Sequence, residues 1–261
     1  IKQWLMGMPP AIFGTTYFNF IASHDGIGLR PIEEILTEEE IDMLAKNIEG
    51  AGGKVSYRTK ENSQRPYELN IALFDALKLH VKDGDDGYQE ARFISAHTIM
   101  LSLEGIPAFY IHSFLATQND YEKVKHSGKN RGINRHQWQM QELEQILLGE
   151  NHHSRMFYEL LRLIGIRKRQ RAFHPNATQF TLDLGNSVLA LWRQSLDRTQ
   201  SIFSIHNISN QKIAIQLSDL NLIETDNWFD LISGTKLERS HGKLMLTPYQ
   251  SMWITNKSSI M

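Results

Sequence analysis

The chain of 261 residues contains no cysteine, which excludes disulfide bonds and thiolate metal sites. No apolar run approaches the ~20 residues that a membrane-spanning helix needs. The formal net charge is only −1, so the excess of lysine and arginine that marks most nucleic-acid-binding proteins is missing. These absences predict a globular protein of the reducing cytoplasm that binds neither membranes nor nucleic acids.

The sequence also lacks a methionine at its start. The chain begins with Ile1 instead of methionine, and its first letters, IKQWL, are typical of the end of a helix. We therefore expect it to be a piece of a longer polypeptide. Its length alone permits one large domain or two ordinary ones.

Predicted strands and helices alternate in the first part of the chain. A strand is expected over 16–22, where aromatic and β-branched residues alternate. A capping box at 37–40 begins a helix. Apolar residues at helical spacing predict two more helices, 66–79 and 88–104, before a short apolar strand at 108–112. This order is typical of a βα barrel or a doubly wound sheet.

Two long stretches, 53–65 and 113–137, are polar and have no periodic pattern. We expect both to be loops. Long loops inside compact domains are often functional, so these segments are candidates for binding residues.

The character of the sequence changes after a basic amphipathic helix predicted at 153–170. From 172 onward, short apolar runs are separated by turn signals, which predicts an antiparallel sheet domain, most simply a small β-sandwich. The boundary is expected at 171–175. The fold class is therefore α/β followed by all-β.

The pair His24-Asp25 ends the first predicted strand and precedes two glycines. A carboxylate with a neighbouring imidazole at a strand end can grip sugar hydroxyls and stabilise a cationic transition state. Alternatively, Asp25 caps the glycine turn through an Asx hydrogen bond while His24 packs. From the residues alone, both interpretations stay open.

Other polar groups invite weaker interpretations. Arg65 can bind a phosphate or a carboxylate with its guanidinium fork, or simply belong to a solvated loop before Pro66. The histidines lack carboxylate partners at ligand spacing, so we predict no metal site and no cofactor. The tryptophans of the last third are expected in the core instead of in a sugar-stacking platform.

Five segments in this order and spacing resemble the sucrose phosphorylase-like branch of the α-amylase superfamily, glycoside hydrolase family 13. This branch also contains sucrose 6'-phosphate, glucosylglycerol and glucosylglycerate phosphorylases. Specific motifs cover residues 1–136, whereas 137–255 match only in general plan. The segments are FNFIASHDGIG (18–28), PYELN (66–70), GIPAFYIHSFLA (105–116), Asn119-Asp120 and NRGINRH (130–136).

The resemblance implies an architecture. Residues 1–171 would be the C-terminal portion of a catalytic (β/α)8 TIM barrel, with its last two strands at 16–22 and 107–112. Residues 172–261 would be a C-terminal antiparallel β domain.

It also implies roles for single residues. Asp25 matches the carboxylate that stabilises the transition state, and His24 matches the histidine that binds the same glucose. The segment with Arg65 and Glu68 matches a loop that contacts the acceptor or phosphate, and Arg131 matches an arginine of the acceptor subsite. We expect Asn134 and Arg135 in the same segment to be structural.

By the same resemblance the chain would act on an α-glucoside and inorganic phosphate by retaining glucosyl transfer. That reaction needs a nucleophile and an acid/base ~5 Å apart. Both come from earlier barrel strands in the family, and residues 1–16 contain no aspartate or glutamate. We therefore expect the chain to be inactive alone, with the missing barrel portion either a partner or absent.

Departures from the sucrose-specific pattern at Glu68 and Gly132, together with IHS at 111–113, favour a charged acceptor such as glycerate or a sugar phosphate. Two alternatives remain. One is hydrolysis or transglucosylation by an α-glucosidase-like member of the superfamily, and the other is a non-catalytic truncated remnant.

Overall fold

The computed structural model describes residues 1–60, 63–80, 84–220, 228–237 and 242–256. The chain divides into two compact units. The first, which we call the sheet unit, comprises Ile1–Phe20, Ile94–Ala108 and Leu160–Met261. The second, the hairpin unit, comprises Ile21–Phe93 and Phe109–Glu159.

Both units contain helices, numbered in chain order. They are α1 (Lys2–Gly7), α2 (Glu38–Gly50), α3 (Leu73–Ala76), α4 (Gln89–Ser102), α5 (Ile111–Phe114), α6 (Tyr121–Ser127), α7 (Met140–Leu148) and α8 (His152–Lys168). Short 3-10 turns occupy Arg30–Ile32, Asn130–Asn134, Arg171–Phe173 and Leu217–Leu220. In the described part of the chain, none of the helices combines the length and apolarity that crossing a bilayer requires.

Strands likewise occur in both units. They are β1 (Phe18–Asn19), β2 (Ile27–Gly28), β3 (Lys54–Lys60), β4 (Ser63–Asn70), β5 (Leu79–His80), β6 (Gly84–Asp85), β7 (Ile106–Pro107), β8 (Thr178–Leu182), β9 (Val188–Gln194), β10 (Ser201–Asn207), β11 (Ile213–Gln216), β12 (Phe229–Asp230), β13 (Thr235–Lys236), β14 (Lys243–Leu246) and β15 (Ser251–Thr255).

The sheet unit is built on a six-stranded antiparallel sheet with strand order β13-β12-β15-β10-β9-β8, next to a two-stranded antiparallel sheet of β11 and β14. Its strands are short, apolar and separated by turns, so the prediction of antiparallel structure in the last third is confirmed. Both sheets contribute side chains to one apolar core. The core residues are Val188, Ala190, Phe203, Ile205, Ile215, Leu217, Leu220, Leu237, Leu244, Leu246, Met252 and Ile254.

The same unit contains a parallel pair, β1 with β7, in the register Phe18↔Ile106. This pair corrects the strands predicted at 16–22 and 108–112, because the first is limited to two residues and the second precedes its predicted position. Gly105 explains the shift. It adopts a φ of +109°, and a Cβ there would lie 2.4 Å from the Tyr17 carbonyl oxygen, so only glycine permits this close approach.

The hairpin unit corrects two predictions. The loop expected over 53–65 and the helix expected over 66–79 are instead a long β3–β4 hairpin, and helix appears only in α3. β2 pairs with the other edge of β4, which makes a three-stranded antiparallel sheet of order β2-β4-β3. Polar residues disguised the strands, and Pro66 is accommodated where the register shifts between Ser56 and Tyr57.

Three predicted helices are confirmed by α2, α4 and α8. The capping box of α2 is formed as expected, because Glu40 N–H donates to Thr37 Oγ1 at 3.3 Å and Thr37 N–H donates to Glu40 Oε2 at 2.8 Å. The loop expected over 113–137 is only partly a loop. It contains α6, which begins at a cap by Asp120 and ends at Gly128 in the left-handed conformation.

Candidate functional site

Arg131 lies at the centre of a group of charged side chains in the hairpin unit. Its Nε and Nη2 donate to Glu68 Oε1 at 2.9 Å and Oε2 at 2.6 Å, a bidentate pair. Its Nη1 donates to Asp25 Oδ1 at 2.7 Å. The hydrogen bonds and charge of Glu68, with a smaller contribution from Asp25, raise the pKa of Arg131 above its usual value. One guanidinium therefore bridges two carboxylates and stays charged.

The three residues come from separate parts of the sequence. Asp25 lies in the loop before β2, Glu68 on the central strand β4, and Arg131 on the 3-10 turn Asn130–Asn134. Their exposure differs. The Glu68 side chain is 8% exposed, whereas those of Asp25 and Arg131 are 44% and 45% exposed. The buried carboxylate of Glu68 thus holds the Arg131 guanidinium in place, whereas the carboxylate of Asp25 is open to solvent.

Glu68 lies close to the Asp25 loop because Gly26 of that loop has no side chain. A Cβ on Gly26 would lie 2.5 Å from Glu68 Cγ and 2.7 Å from Asn70 Oδ1, closer than real Cβ contacts. Beside it, Ser56 Oγ accepts hydrogen bonds from Asn70 and Asn130, each at 3.1 Å. Gly26 is therefore required where the loop meets β4, because any larger residue would collide with the side chains of Glu68 and Asn70.

Two neighbours of Arg131 bond to the loop that carries Asp25. Asn134 Nδ2 donates to the carbonyl oxygens of Ser23 at 3.1 Å and Asp25 at 3.2 Å. Arg135 Nε donates to the carbonyl oxygen of His24 at 2.6 Å, and its Nη2 lies 3.4 Å from Asp25 Oδ1. The segment expected to be structural therefore contacts the predicted catalytic residue directly.

The other two predicted binding residues are placed differently from each other. His24 lies beside Asp25, with Nε2 3.7 Å from Oδ2, and its side chain is 71% exposed. Arg65 is not gathered with them, because its Nη1 pairs with Glu38 Oε1 of α2 at 2.5 Å. It lines an acidic cleft next to a second pair, Arg58 with Glu33 at 2.7 Å.

The turn that carries Arg131 is itself anchored. Tyr110 donates from its hydroxyl to the Asn134 carbonyl oxygen at 2.8 Å, and Asp120 N–H donates to the Ile133 carbonyl oxygen at 2.8 Å. His136 Nδ1 lies 2.8 Å from Asp120 Oδ2. Burial alone would raise the pKa of Asp120, but hydrogen bonds from Lys123 and His136 outweigh it and hold that pKa below its usual value.

Among the described residues, no group of three or more histidine, aspartate or glutamate side chains is placed to hold a metal ion. His152 stacks on Phe74, with ring centroids 4.8 Å apart, and its ring lies tilted against that of His153, with centroids 3.9 Å apart. Burial and the neighbouring His153 lower the pKa of His152 to about 4, so it is neutral at physiological pH. Trp253 is fully buried in the sheet unit.

Sequence reasoning missed the supporting residues Gly26, Ser56 and Asn130. Glycines, serines and asparagines are ordinary in polar stretches. The β2-β4-β3 pairing places Gly26 and Ser56 near Glu68, and Asn130 joins them from the 3-10 turn Asn130–Asn134 through its hydrogen bond to Ser56. The spacing of residues in the sequence carries no signal for this arrangement.

Comparison with known proteins identifies relatives of this chain. No family model matches the chain. A glucosylglycerate phosphorylase of Escherichia coli (strain K12) is 35% identical over 96% of this chain and 43% of that protein. A glucosylglycerate phosphorylase of Allomeiothermus silvanus is 35% identical over 97% of this chain and 43% of its own length. The chain is a homologue of these phosphorylases.

A solved structure agrees on the fold. The sucrose 6F-phosphate phosphorylase of Thermoanaerobacter thermosaccharolyticum superposes with a TM-score of 0.61 at 22% identity, over 73% of this chain and 35% of that one. The chain therefore shares the fold of that structure over the part that superposes. It spans less than half the length of the curated phosphorylases named above.

Proposed function

We propose that the chain is part of a retaining α-glucoside phosphorylase, a hexosyltransferase that moves glucose reversibly between an α-glucoside and inorganic phosphate. The observation that carries the proposal is the Arg131 guanidinium between Glu68 and Asp25 in a homologue of glucosylglycerate phosphorylases. An arginine fork beside an exposed carboxylate suits a substrate that has both sugar hydroxyls and an anionic group.

In this proposal Asp25 is the transition-state stabiliser. Its exposed carboxylate accepts hydrogen bonds from ring hydroxyls of the glucose and favours the positive charge that develops on the ring carbon. His24, exposed beside it, donates to the same sugar. Bond breaking and making belong to a nucleophile and an acid/base that this chain does not supply, so the chain alone is inactive.

In the same proposal Arg131 binds the phosphate or the acceptor. Three of the five N–H donors of its guanidinium are used by Glu68 and Asp25, which leaves two for a ligand in the described structure. The two remaining donors, one on Nη1 and one on Nη2, suit an anionic group such as a phosphate or a carboxylate, and therefore inorganic phosphate in one direction and glycerate in the other. Glu68 fixes the fork, and Arg65 contacts the acceptor only after leaving Glu38.

We propose the matching architecture as well. Residues 1–171 form the C-terminal portion of a (β/α)8 barrel, and 172–261 form the C-terminal β domain. The parallel pairing of β1 with β7 supports this, since barrel strands are parallel. Phe18, Phe20 and Ile106 are exposed in the sheet unit, which suits a preceding barrel portion that covers them, on the same polypeptide or as a partner.

The alternatives differ in what the complete protein releases. An α-glucosidase or transglucosylase of the superfamily would release glucose to water or to a sugar acceptor without phosphate. A truncated remnant would have no catalytic activity. The fold and the Asp25 loop suit all three, whereas the relatives at 35% identity favour phosphorolysis.

The test is an assay of the complete polypeptide that carries this chain, supplied with glucosylglycerate or sucrose, with and without inorganic phosphate. We expect α-glucose 1-phosphate to appear only with phosphate, and faster from glucosylglycerate than from sucrose. Release of free glucose at the same rate in both buffers would exclude the phosphorylase proposal. The same assay on the 261-residue chain should give no product.

A further inference from the structure

The loop that carries Asp25 accepts hydrogen bonds at consecutive backbone carbonyls. Those of Ser23 and Asp25 accept from Asn134 Nδ2, and that of His24 accepts from Arg135 Nε. We call Asn134 and Arg135 the carbonyl clamp. Two adjacent residues, at the end of one 3-10 turn, thus hold three consecutive residues, the last of which carries the proposed catalytic carboxylate.

The donors of the clamp are rigid. Asn134 is 7% exposed, and its own carbonyl oxygen accepts from the Tyr110 hydroxyl. The carbonyl oxygen of Arg135 accepts from Lys123 Nζ. A backbone held in this way limits the positions from which the two side chains can donate, so the clamp defines the position of the loop.

The amide of Asn134 is oriented for donation. Its Oδ1 is buried without a hydrogen-bond partner among the described residues, although an unpaired buried oxygen costs roughly 1–3 kcal/mol. Its two Nδ2 bonds both go to the loop. Asn134 does not reach the Asp25 carboxylate, so its effect on that group passes through the backbone.

We propose that Asn134 and Arg135 are positioning residues that hold Asp25 at the distance from the sugar ring at which its charge stabilises the transition state. The proposal rests on the function proposed above for Asp25. A displacement of about 1 Å in such a group can lower a rate about 100-fold, so loss of the clamp should affect turnover more than substrate binding.

The decisive variant is Asn134→Asp, which keeps the shape but replaces the donor with a negative oxygen facing two carbonyls. Asn207→Asp in the sheet unit is its matched control, because Asn207 is also buried and its Nδ2 also donates to two carbonyl oxygens, those of Gln211 and Thr247. Arg135→Lys keeps the charge and loses the Nε donor, and Arg167→Lys is its control, since Arg167 Nε also donates to a backbone carbonyl.

The first readout is steady-state phosphorolysis by the complete polypeptide. We expect Asn134→Asp and Arg135→Lys to lower kcat about 10- to 100-fold while KM for phosphate changes less than about threefold. The two control variants should keep the wild-type kcat. A wild-type kcat in Asn134→Asp, or a loss carried entirely by KM, would overturn the positioning role.

The second readout is hydrogen–deuterium exchange of the full chain, which does not depend on activity. Asn134→Asp should accelerate amide exchange in residues 21–29 more than elsewhere in the chain, and Asn207→Asp should not affect that segment selectively. Unchanged exchange in 21–29 would show that no clamp exists. If the wild type lacks phosphorolysis, the proposed function fails, and exchange alone still decides whether the clamp holds the loop.

Discussion

The two units use buried or half-buried arginines in opposite ways. In the sheet unit, Arg193 is fully buried and donates to the carbonyl oxygens of Ser102, His174 and Ala177 at 2.9–3.2 Å. Burial, with a smaller contribution from Arg167, lowers the pKa of Arg193 to about 10. In the hairpin unit, Arg131 is half-exposed, bonds carboxylates, and its pKa is raised.

The difference separates an arginine that pairs with the protein's own carbonyls from one that we propose binds a ligand. Arg193 and Arg167 donate to Leu101, Ser102 and Gly105, at the carboxyl end of α4 where carbonyls lack helical partners and the dipole favours a cation. The N–H donors of these two arginines pair with backbone carbonyl oxygens of the protein itself. The Arg131 side chain is 45% exposed, and its carboxylate partners orient it while using three of its five N–H donors.

Arg193→Met should have the largest effect and act on stability alone. Removing the guanidinium leaves buried carbonyls unpaired, so we expect the free energy of unfolding to fall by about 3–5 kcal/mol. Denaturant unfolding measures it. The exposed Arg171, paired with Asp197 at 2.9 Å, is the matched control, and Arg171→Met should cost less than about 1 kcal/mol. Equal losses would remove the contrast between the two kinds of arginine.

Asp25→Asn should act on turnover with little change in stability. The amide keeps the size of the side chain but loses the charge that would stabilise the transition state, so we expect kcat of the complete polypeptide to fall about 100- to 1000-fold. Steady-state phosphorolysis measures it, with thermal unfolding as the check on folding. A wild-type rate would remove Asp25 from the mechanism.

Gly26→Ala tests the contact between the Asp25 loop and β4. The added Cβ would meet Glu68 and Asn70, so we expect a loss of about 1–3 kcal/mol in stability together with weaker phosphate binding. Gly28→Ala is the matched control, because a Cβ there meets nothing within 4 Å. Similar behaviour of the two variants in calorimetry and binding would show that the close approach is unimportant.

The last prediction concerns how the stability of the sheet unit depends on pH through His206. Burial lowers the pKa of His206 to about 3, against 6.5 for a free histidine. Between these values the unfolded chain binds the extra proton, so stability should fall as pH falls from about 6.5 towards 3, by roughly 1.4 kcal/mol per pH unit. Urea unfolding at several pH values measures the slope. His206→Leu should flatten it, and an unchanged slope would assign the effect to other groups.

Local signals in the sequence predicted much of the fold. The helices α2, α4 and α8 and the apolar strands of the sheet unit each carry their own periodicity or cap, which neighbouring residues alone can supply. The hairpin 54–70 was missed because its strands are polar, contain Pro66 and are stabilised by pairing with β2, whose residues lie about 40 positions before their partners in β4.

The candidate site divides in the same way. Asp25, Glu68 and Arg131 could be named from motifs, because motif residues sit in recognisable order along the chain. Arg65 was predicted with them, and its partner in the structure is Glu38, an ordinary residue of a capping turn. That pairing depends on where α2 packs, which no motif describes.

Neighbouring residues alone specify the elements that carry their own periodicity or cap, such as α2, α4 and α8, and the residue types available for binding, since propensity, periodicity and capping act over a few neighbours. Only the tertiary structure decided which arginine meets a carboxylate and which meets a carbonyl. Asn134, Arg135 and Gly26 matter because long-range packing places a donor or an empty space against the Asp25 loop. Hydrogen bonds and steric fit act over a few ångströms, and sequence distance does not measure them.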